Sequence, residues 1–166
     1  MRIGIDIDNV ISNFNEELLK EYLKHDKELR NSGIVNKNAD YIRRGMFDWT
    51  ENEEISFYRN NIERIAISLK VKDGAKEYID KLITDGHTIY IITGRDNGEY
   101  SDPYNMTKKW LDDNFIKYHN LILTNASSPF VARLEFFFLP ENVPPINVSK
   151  ISDKSISLMA PYLLIK

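Results

Sequence analysis

Apolar positions along the chain follow two periods, and the two alternate. Residues 3–7, Ile3-Gly4-Ile5-Asp6-Ile7, form a short β-branched run of the kind that makes a buried strand. Asn13 and Glu16 have capping-box spacing, and Phe14, Leu18, Leu19, Tyr22 and Leu23 then recur at helical intervals. Residues 31–48 are polar and irregular, with weak helical character over 40–44. Thr50 and Glu53 make a second capping pair, ahead of Ile55, Tyr58, Ile62 and Ile65. Asp73 is placed to cap a third helix with the stripe Ala75, Tyr78, Ile79, Leu82 and Ile83, and Gly86 ends it. Residues 88–93 return to strand character, Asp102-Pro103 opens a helix carrying Met106 and Trp110, and 120–124 is a third strand.

Strands alternating with helices predict an α/β fold built from βαβ units on a mainly parallel sheet. After Asn125 the character changes. Residues 125–149 hold three charged side chains, Arg133, Glu135 and Glu141, and four of the six prolines. Residues 134–139 read as a fourth strand and 155–159 as a fifth. The connection before the fourth strand, interrupted by Pro129, is too short for a crossover helix.

Composition narrows the classes. A chain of 166 residues fits one domain, or a core domain with a small inserted cap, and 42% hydrophobic with 28% charged residues is ordinary for a globular protein. A net charge of −3 leaves no electrostatic footprint for duplex nucleic acid. The chain has no cysteine, which excludes disulfides, thiolate zinc sites and cysteine nucleophiles. The start enters a strand pattern without a signal-peptide profile, and no apolar run approaches the length of about 18 residues that suggests a membrane span. A soluble, cytoplasmic protein without a membrane partner is expected.

In parallel α/β sheets, ligands collect beyond the carboxyl ends of the strands. Asp6 stands at the end of the first strand and Asp8 two residues later, so both carboxylates can share one side of the strand end. One acid can attack a phosphoryl group while the other protonates the leaving oxygen and then activates water. The approach of a carboxylate to a phosphate meets a repulsion of about 4 kcal/mol per pair of unit charges at about 4 Å and an effective dielectric near 20. A divalent cation offsets it, and hard oxygen ligands favour Mg²⁺. To serve as an acid, Asp8 needs a raised pKa, which an ionised Asp6 beside it can supply. Thr93-Gly94-Arg95 ends another apolar strand, and a hydroxyl followed by a glycine amide suits a phosphate cradle. Taken singly, the first element also reads as two solvated loop acids and the second as an ordinary turn.

Together they are more specific. The Asp-x-Asp of Ile3-Gly-Ile-Asp-Ile-Asp-Asn-Val10 and the later Ile91-Ile-Thr-Gly-Arg-Asp96, separated by a helical insert, resemble motifs I and II of the haloacid dehalogenase (HAD) superfamily. With Asp48-Trp49, Gly74-Ala75, Leu82 and Gly86-His87, the chain is similar over about residues 1–124 to its 5′(3′)-deoxyribonucleotidase group. The resemblance implies a HAD-like Rossmannoid three-layer core, residues 1–13 and 72–166, with a small helical cap, 14–71, inserted after strand 1. It implies Asp6 as nucleophile and Mg²⁺ ligand, Asp8 as general acid/base binding the metal through its carbonyl, and Thr93 with Gly94 holding the phosphate. The implied partner is a small phosphomonoester, a nucleotide in the leading reading. Within the cap, Phe47 and Trp49 offer flat faces for a nucleobase, although a role in the cap's own core explains them too. Arg95 and Asp96 follow the phosphate loop, where substrate contact and a surface salt bridge are both open. His25, His87 and His119 show no ligand spacing, and Lys108 and Lys109 fit a solvated helix face.

The pattern departs from the family in two places. No lysine lies between Lys117 and Lys150, so Arg133 is the candidate for the motif III cation. Beyond the fourth strand Glu141 is the candidate motif IV acid and third metal ligand, after Pro140. Three functions therefore stand. The leading one is Mg²⁺-dependent phosphomonoester hydrolysis through an aspartyl-phosphate, in a 5′-nucleotidase or deoxyribonucleotidase. The others are a phosphatase for sugar phosphates or other small metabolites, and a catalytically impaired phosphate- or nucleotide-binding protein.

Overall fold

The computed structural model describes residues 1–95, 98–124 and 136–139, the last as backbone. Its elements are β1 (Arg2–Ile5), α1 (Phe14–Leu29), α2 (Glu51–Ser68), α3 (Ala75–Thr84), β2 (Thr88–Thr93), α4 (Pro103–Asp113), β3 (Asn120–Leu123) and β4 (Phe136–Leu139). One sheet holds the strands in the order β3-β2-β1-β4. β1 is parallel to β2, with Ile5 opposite Ile91, and β2 is parallel to β3, with Thr93 opposite Leu123. This is the α/β fold with a mainly parallel sheet that the alternating periods predict. β4 is the exception, running antiparallel to β1 with Phe136 opposite Ile5 and Leu139 opposite Arg2. An antiparallel strand needs no crossover helix, which agrees with the short stretch before it.

The local signals hold in part. Thr50 and Glu53 form the expected capping box at α2, Asp102 caps α4 ahead of Pro103, and Gly86, at φ 85°, closes α3. Asn13 and Glu16 do not form one. The Asn13 amide group donates to Glu17 Oε1 (3.1 Å), and its Oδ1 accepts from the Lys70 backbone (2.8 Å). A long-range partner wins there over the local cap. The N-cap of α3 is Gly74 rather than Asp73, at φ 79°, a left-handed conformation that glycine adopts without a Cβ clash.

Asn13 belongs to a short seam between the two chain segments that lead into and out of the insert between β1 and α3. Ser12 bridges Val71 antiparallel, Asn13 N–H donates to Lys70 O (3.1 Å) and Lys72 N–H donates to Ile11 O (2.9 Å). Trp110 of α4 adds a buried bond from Nε1 to Leu69 O (2.9 Å). Apolar packing is continuous across the seam. One cluster joins Ile3, Ile5, Ile79, Ile89, Ile91 and Leu111 around the sheet, through Ile7 and Ile11, to Leu18, Tyr22, Phe57 and Ile65 of the insert.

The insert has an aromatic centre. Tyr22 stacks on Trp49 at 4.7 Å and 7°, and Phe57 meets the Tyr22 ring edge-on at 4.7 Å. Trp49 Nε1 donates to the buried Asp26 Oδ1 (2.9 Å), whose other oxygen accepts from the Gly33 amide (2.7 Å). Phe47 and Trp49 are only 2% and 7% exposed. This corrects the expectation that they stack on a nucleobase: their faces are covered by Tyr22, by one another and, for Trp49, by Phe57.

Replacing Trp49 by alanine removes that packing and orphans Asp26. Urea denaturation should show a loss of about 3–5 kcal/mol, whereas Tyr41→Ala, at a site 69% exposed, should stay within about 0.5 kcal/mol of the parent.

Candidate active site

Asp6 follows β1 in extended conformation (φ −80°, ψ 161°), and the chain then makes one wide turn, Ile7–Ile11, closed by Ser12 N–H donating to Ile7 O (2.9 Å). Buried Ile7 and Ile11 anchor the turn from below. Asn9 sits in it at φ 65°, a left-handed conformation that asparagine tolerates better than most residues. Its Oδ1 accepts from the Asn15 amide (2.7 Å), and its carbonyl accepts from Lys72 Nζ. The turn carrying Asp8 is thus tied both to the start of α1 and to the exit of the insert.

Because β1 and β2 are adjacent and parallel, Thr93 ends β2 on the edge of the sheet where Asp6 ends β1. The Thr93 carbonyl accepts from the Thr124 amide (2.9 Å) and hydroxyl (3.3 Å). Its own hydroxyl is buried and has no partner among the described residues. A buried hydroxyl unpaired among the described residues can donate to an acceptor at this edge of the sheet.

Arg95 is not in a surface salt bridge. It is 1% exposed and grips Asp8 with two nitrogens, Nη2 to Oδ1 at 2.8 Å and Nε to Oδ2 at 3.4 Å. Burial works against its charge, but the Asp8 carboxylate outweighs that and holds the Arg95 pKa above its ordinary value. Its third nitrogen, Nη1, is buried without a partner among the described residues.

The sequence attached a raised pKa to Asp8; the structure attaches one to Asp6, which is pushed up to about 7. Burial is the main cause and the Asp8 charge the second, offset in part by the Ile7 amide, which donates to Oδ1 at 2.7 Å, and by Arg95.

Two tyrosines also face this site electrostatically. Tyr58 comes from α2 of the insert and Tyr100 from the segment before α4. Burial, then the charges of Glu99 and Asp8, raise the Tyr58 pKa; burial, then Asp8 and Tyr58, raise that of Tyr100. Arg43 lies over the Tyr58 ring at 4.4 Å and pairs with Glu99 at 3.5 Å. In the sequence Tyr58 was one member of a helical stripe and Tyr100 stood outside every motif. The closeness of Tyr100 to the Thr-Gly-Arg loop was the signal available.

Asp6, Asp8, Thr93, Gly94 and Arg95 are brought to one sheet edge, and Phe47 and Trp49 are not placed with them. Arg133, Glu141 and Asp96 lie outside the described residues. The carboxyl end of β4, where the fourth-strand acid was sought, is paired with the amino end of β1, at the opposite edge from Asp6. Among the described residues no three His, Cys, Asp or Glu gather as a metal site. Asp6 nonetheless suits a hard cation: a carboxylate destabilised as an anion by burial and by the Asp8 charge gains from a positive charge beside it. The three histidines are used elsewhere: His25 packs on Trp49 and Phe57, His87 meets the Met1 amine, and His119 accepts from the Ile89 amide. Lys108 and Lys109 pair with Asp112 and Asp113 on the exposed side of α4.

No helix among the described residues is long and apolar enough to cross a membrane. No curated protein and no solved structure matches the chain. A family model does, that of the 5′ nucleotidase, deoxy (pyrimidine), cytosolic type C protein, over residues 1–163. The match continues beyond residue 124, across the stretch where the motif pattern by itself gave out. With Asp-x-Asp and Thr-Gly at neighbouring strand ends of an α/β sheet, the chain belongs to this family of HAD-type 5′-nucleotidases, hydrolases of phosphoric monoesters.

Proposed function

We propose that the chain hydrolyses a nucleoside or deoxynucleoside monophosphate in a Mg²⁺-dependent reaction, through an aspartyl-phosphate on Asp6. One observation carries the reading: Asp6, Asp8 and the Thr93 hydroxyl, unpartnered among the described residues, share the carboxyl edge of two adjacent parallel strands. An Asp6 oxygen attacks phosphorus while the departing nucleoside oxygen takes from Asp8 the proton that Asp6 gives up on becoming the attacking carboxylate. Asp8 then accepts a proton from the water that attacks phosphorus, which releases phosphate and regenerates Asp6. The Thr93 hydroxyl and the Gly94 amide donate to phosphoryl oxygens throughout.

Asp6 and the Asp8 carbonyl are the described groups that would hold Mg²⁺. When bound, the cation supplies charge neutralisation between carboxylate and phosphate. Residues 14–71 act as the cap, on a core of residues 1–13 and 72–166. Its contacts with the core beside the site support this: Glu63 accepts from the Ser101 hydroxyl (2.7 Å) and amide (3.1 Å), and Arg43 reaches Glu99. Such a cap excludes water and meets the nucleoside. The family's description as cytosolic supports a cytoplasmic setting.

Asp6→Asn should abolish release of phosphate from deoxynucleoside monophosphates, a drop of at least about 10³-fold; turnover surviving that change would sink the mechanism. Chelation of divalent ions should stop wild-type turnover, with added Mg²⁺ restoring it. A hydrolysis screen that found sugar phosphates preferred over nucleotides would replace the substrate class and leave the mechanism standing.

A stability measurement tests the pKa of Asp6 directly. Between the ordinary carboxylate pKa of 3.8 and about 7, folded Asp6 keeps a proton that the unfolded chain has lost. Raising the pH through this window therefore lowers stability. Without divalent ions, Asp6→Asn should melt several degrees above wild type at pH 8, with the difference shrinking towards pH 4. Equal melting temperatures across this range would contradict the assignment.

A further inference from the structure

The buried guanidinium of Arg95 is more than a partner for Asp8. Nε and Nη2 are occupied by that carboxylate, whereas Nη1 is sealed from solvent and unpaired among the described residues. An arginine presents its donors in one rigid plane, so fixing two of them fixes the direction of the rest. A buried N–H with no acceptor is unfavourable, and more so when the group is charged. The Thr93 hydroxyl, two residues away on the same strand end, is in the same condition. Two buried donors without partners among the described residues thus come from the strand end next to the one that carries Asp6, and the Arg95 charge reaches Asp6. Donor excess of this kind fits an anion with several acceptor oxygens.

We propose that Arg95 is the phosphate-binding cation of this site, with Nη1 and the Thr93 hydroxyl donating to the phosphoryl group while Nε and Nη2 hold Asp8 in place. This rests on the hydrolytic reading above and assigns within it the cation that Arg133 was expected to supply. The arginine approaches from the Thr-Gly-Arg loop, so the site needs no lysine in the lysine-free stretch between Lys117 and Lys150. One side chain then couples two tasks. It binds the group to be transferred and sets the position of the acid that protonates the leaving oxygen.

The test compares wild type, Arg95→Gln, Arg95→Lys and Thr93→Val. Titration of inorganic phosphate in the presence of Mg²⁺ is followed by calorimetry, turnover is assayed on a deoxynucleoside monophosphate, and folding is checked by thermal melting. Arg95→Gln should weaken phosphate binding about tenfold or more and lower kcat by about 100-fold or more. Added guanidinium ion at millimolar levels should restore part of its turnover, a response that a purely structural role would not give. Arg95→Lys keeps the charge but not the fork, and should recover phosphate affinity better than kcat. Thr93→Val should weaken phosphate binding without a guanidinium response. If Arg95→Gln does not fold, Arg95→Lys decides the matter: phosphate affinity and kcat both within threefold of wild type would overturn the proposal. Phosphate affinity and kcat of folded Arg95→Gln within threefold of wild type would likewise overturn it and leave the hydrolytic reading intact. A wild type that binds phosphate through Arg95 without any turnover would overturn hydrolysis and keep the anion site.

Discussion

The parallel pairing of β1 with β2 is the constraint on which the site depends. It sets Ile5 beside Ile91, so that the turns after the two strands leave the same sheet edge as neighbours. Neither turn is a ligand site without the other. The Asp6–Asp8 turn concentrates negative charge, and the Thr93–Arg95 turn concentrates buried donors. The pairing brings the two acids of one loop and the buried donors of the other to a single edge. Buried Ile3, Ile5, Ile89 and Ile91 hold that register, because a slip by one residue would turn them away from the core.

Charge balance follows from this placement. Asp6, Asp8 and Arg95 lie within electrostatic reach of one another, and burial raises every mutual energy above its value in water. Arg95 satisfies Asp8, while at Asp6 burial and the Asp8 charge outweigh the backbone amides and Arg95, and its pKa is pushed up to about 7. An unsettled carboxyl next to unsettled donors is an unstable arrangement in the free protein. Native structures keep such local conflicts chiefly where a ligand resolves them. The seam at Ser12–Val71 and the bond from Trp110 to Leu69 hold the surrounding elements firmly enough to sustain it.

The insert divides its aromatic residues between two tasks. Phe47 and Trp49 close its own core with Tyr22, leaving Tyr58 as the ring electrostatically linked to Asp8. Flatness and apolarity made Phe47 and Trp49 candidates both for a nucleobase and for the cap's own core. Burial decided between these, because rings packed against one another and against Tyr22 have no face left to offer. Trp49 also satisfies Asp26, which binds it more tightly to the interior.

Much of the fold was legible in the chain. Thr88–Thr93, the Thr50–Glu53 capping box, the Asp102-Pro103 helix start and the Gly86 stop are local features, determined by side-chain chemistry within a few residues. Asp-x-Asp and Thr-Gly-Arg were legible for the same reason, each being a short motif at the end of an apolar strand. Asn13 was misread because its partner, Lys70, lies across the seam rather than along the helix. Tertiary structure alone decided that Arg95 is buried against Asp8, that Asp6 bears the raised pKa, and that β4 runs antiparallel. Those outcomes depend on solvent exclusion and on pairs of groups distant in sequence, and neither burial nor long-range pairing has a local signature. By itself the sequence therefore determined which residues could carry phosphate chemistry, and the fold decided how their charges are shared.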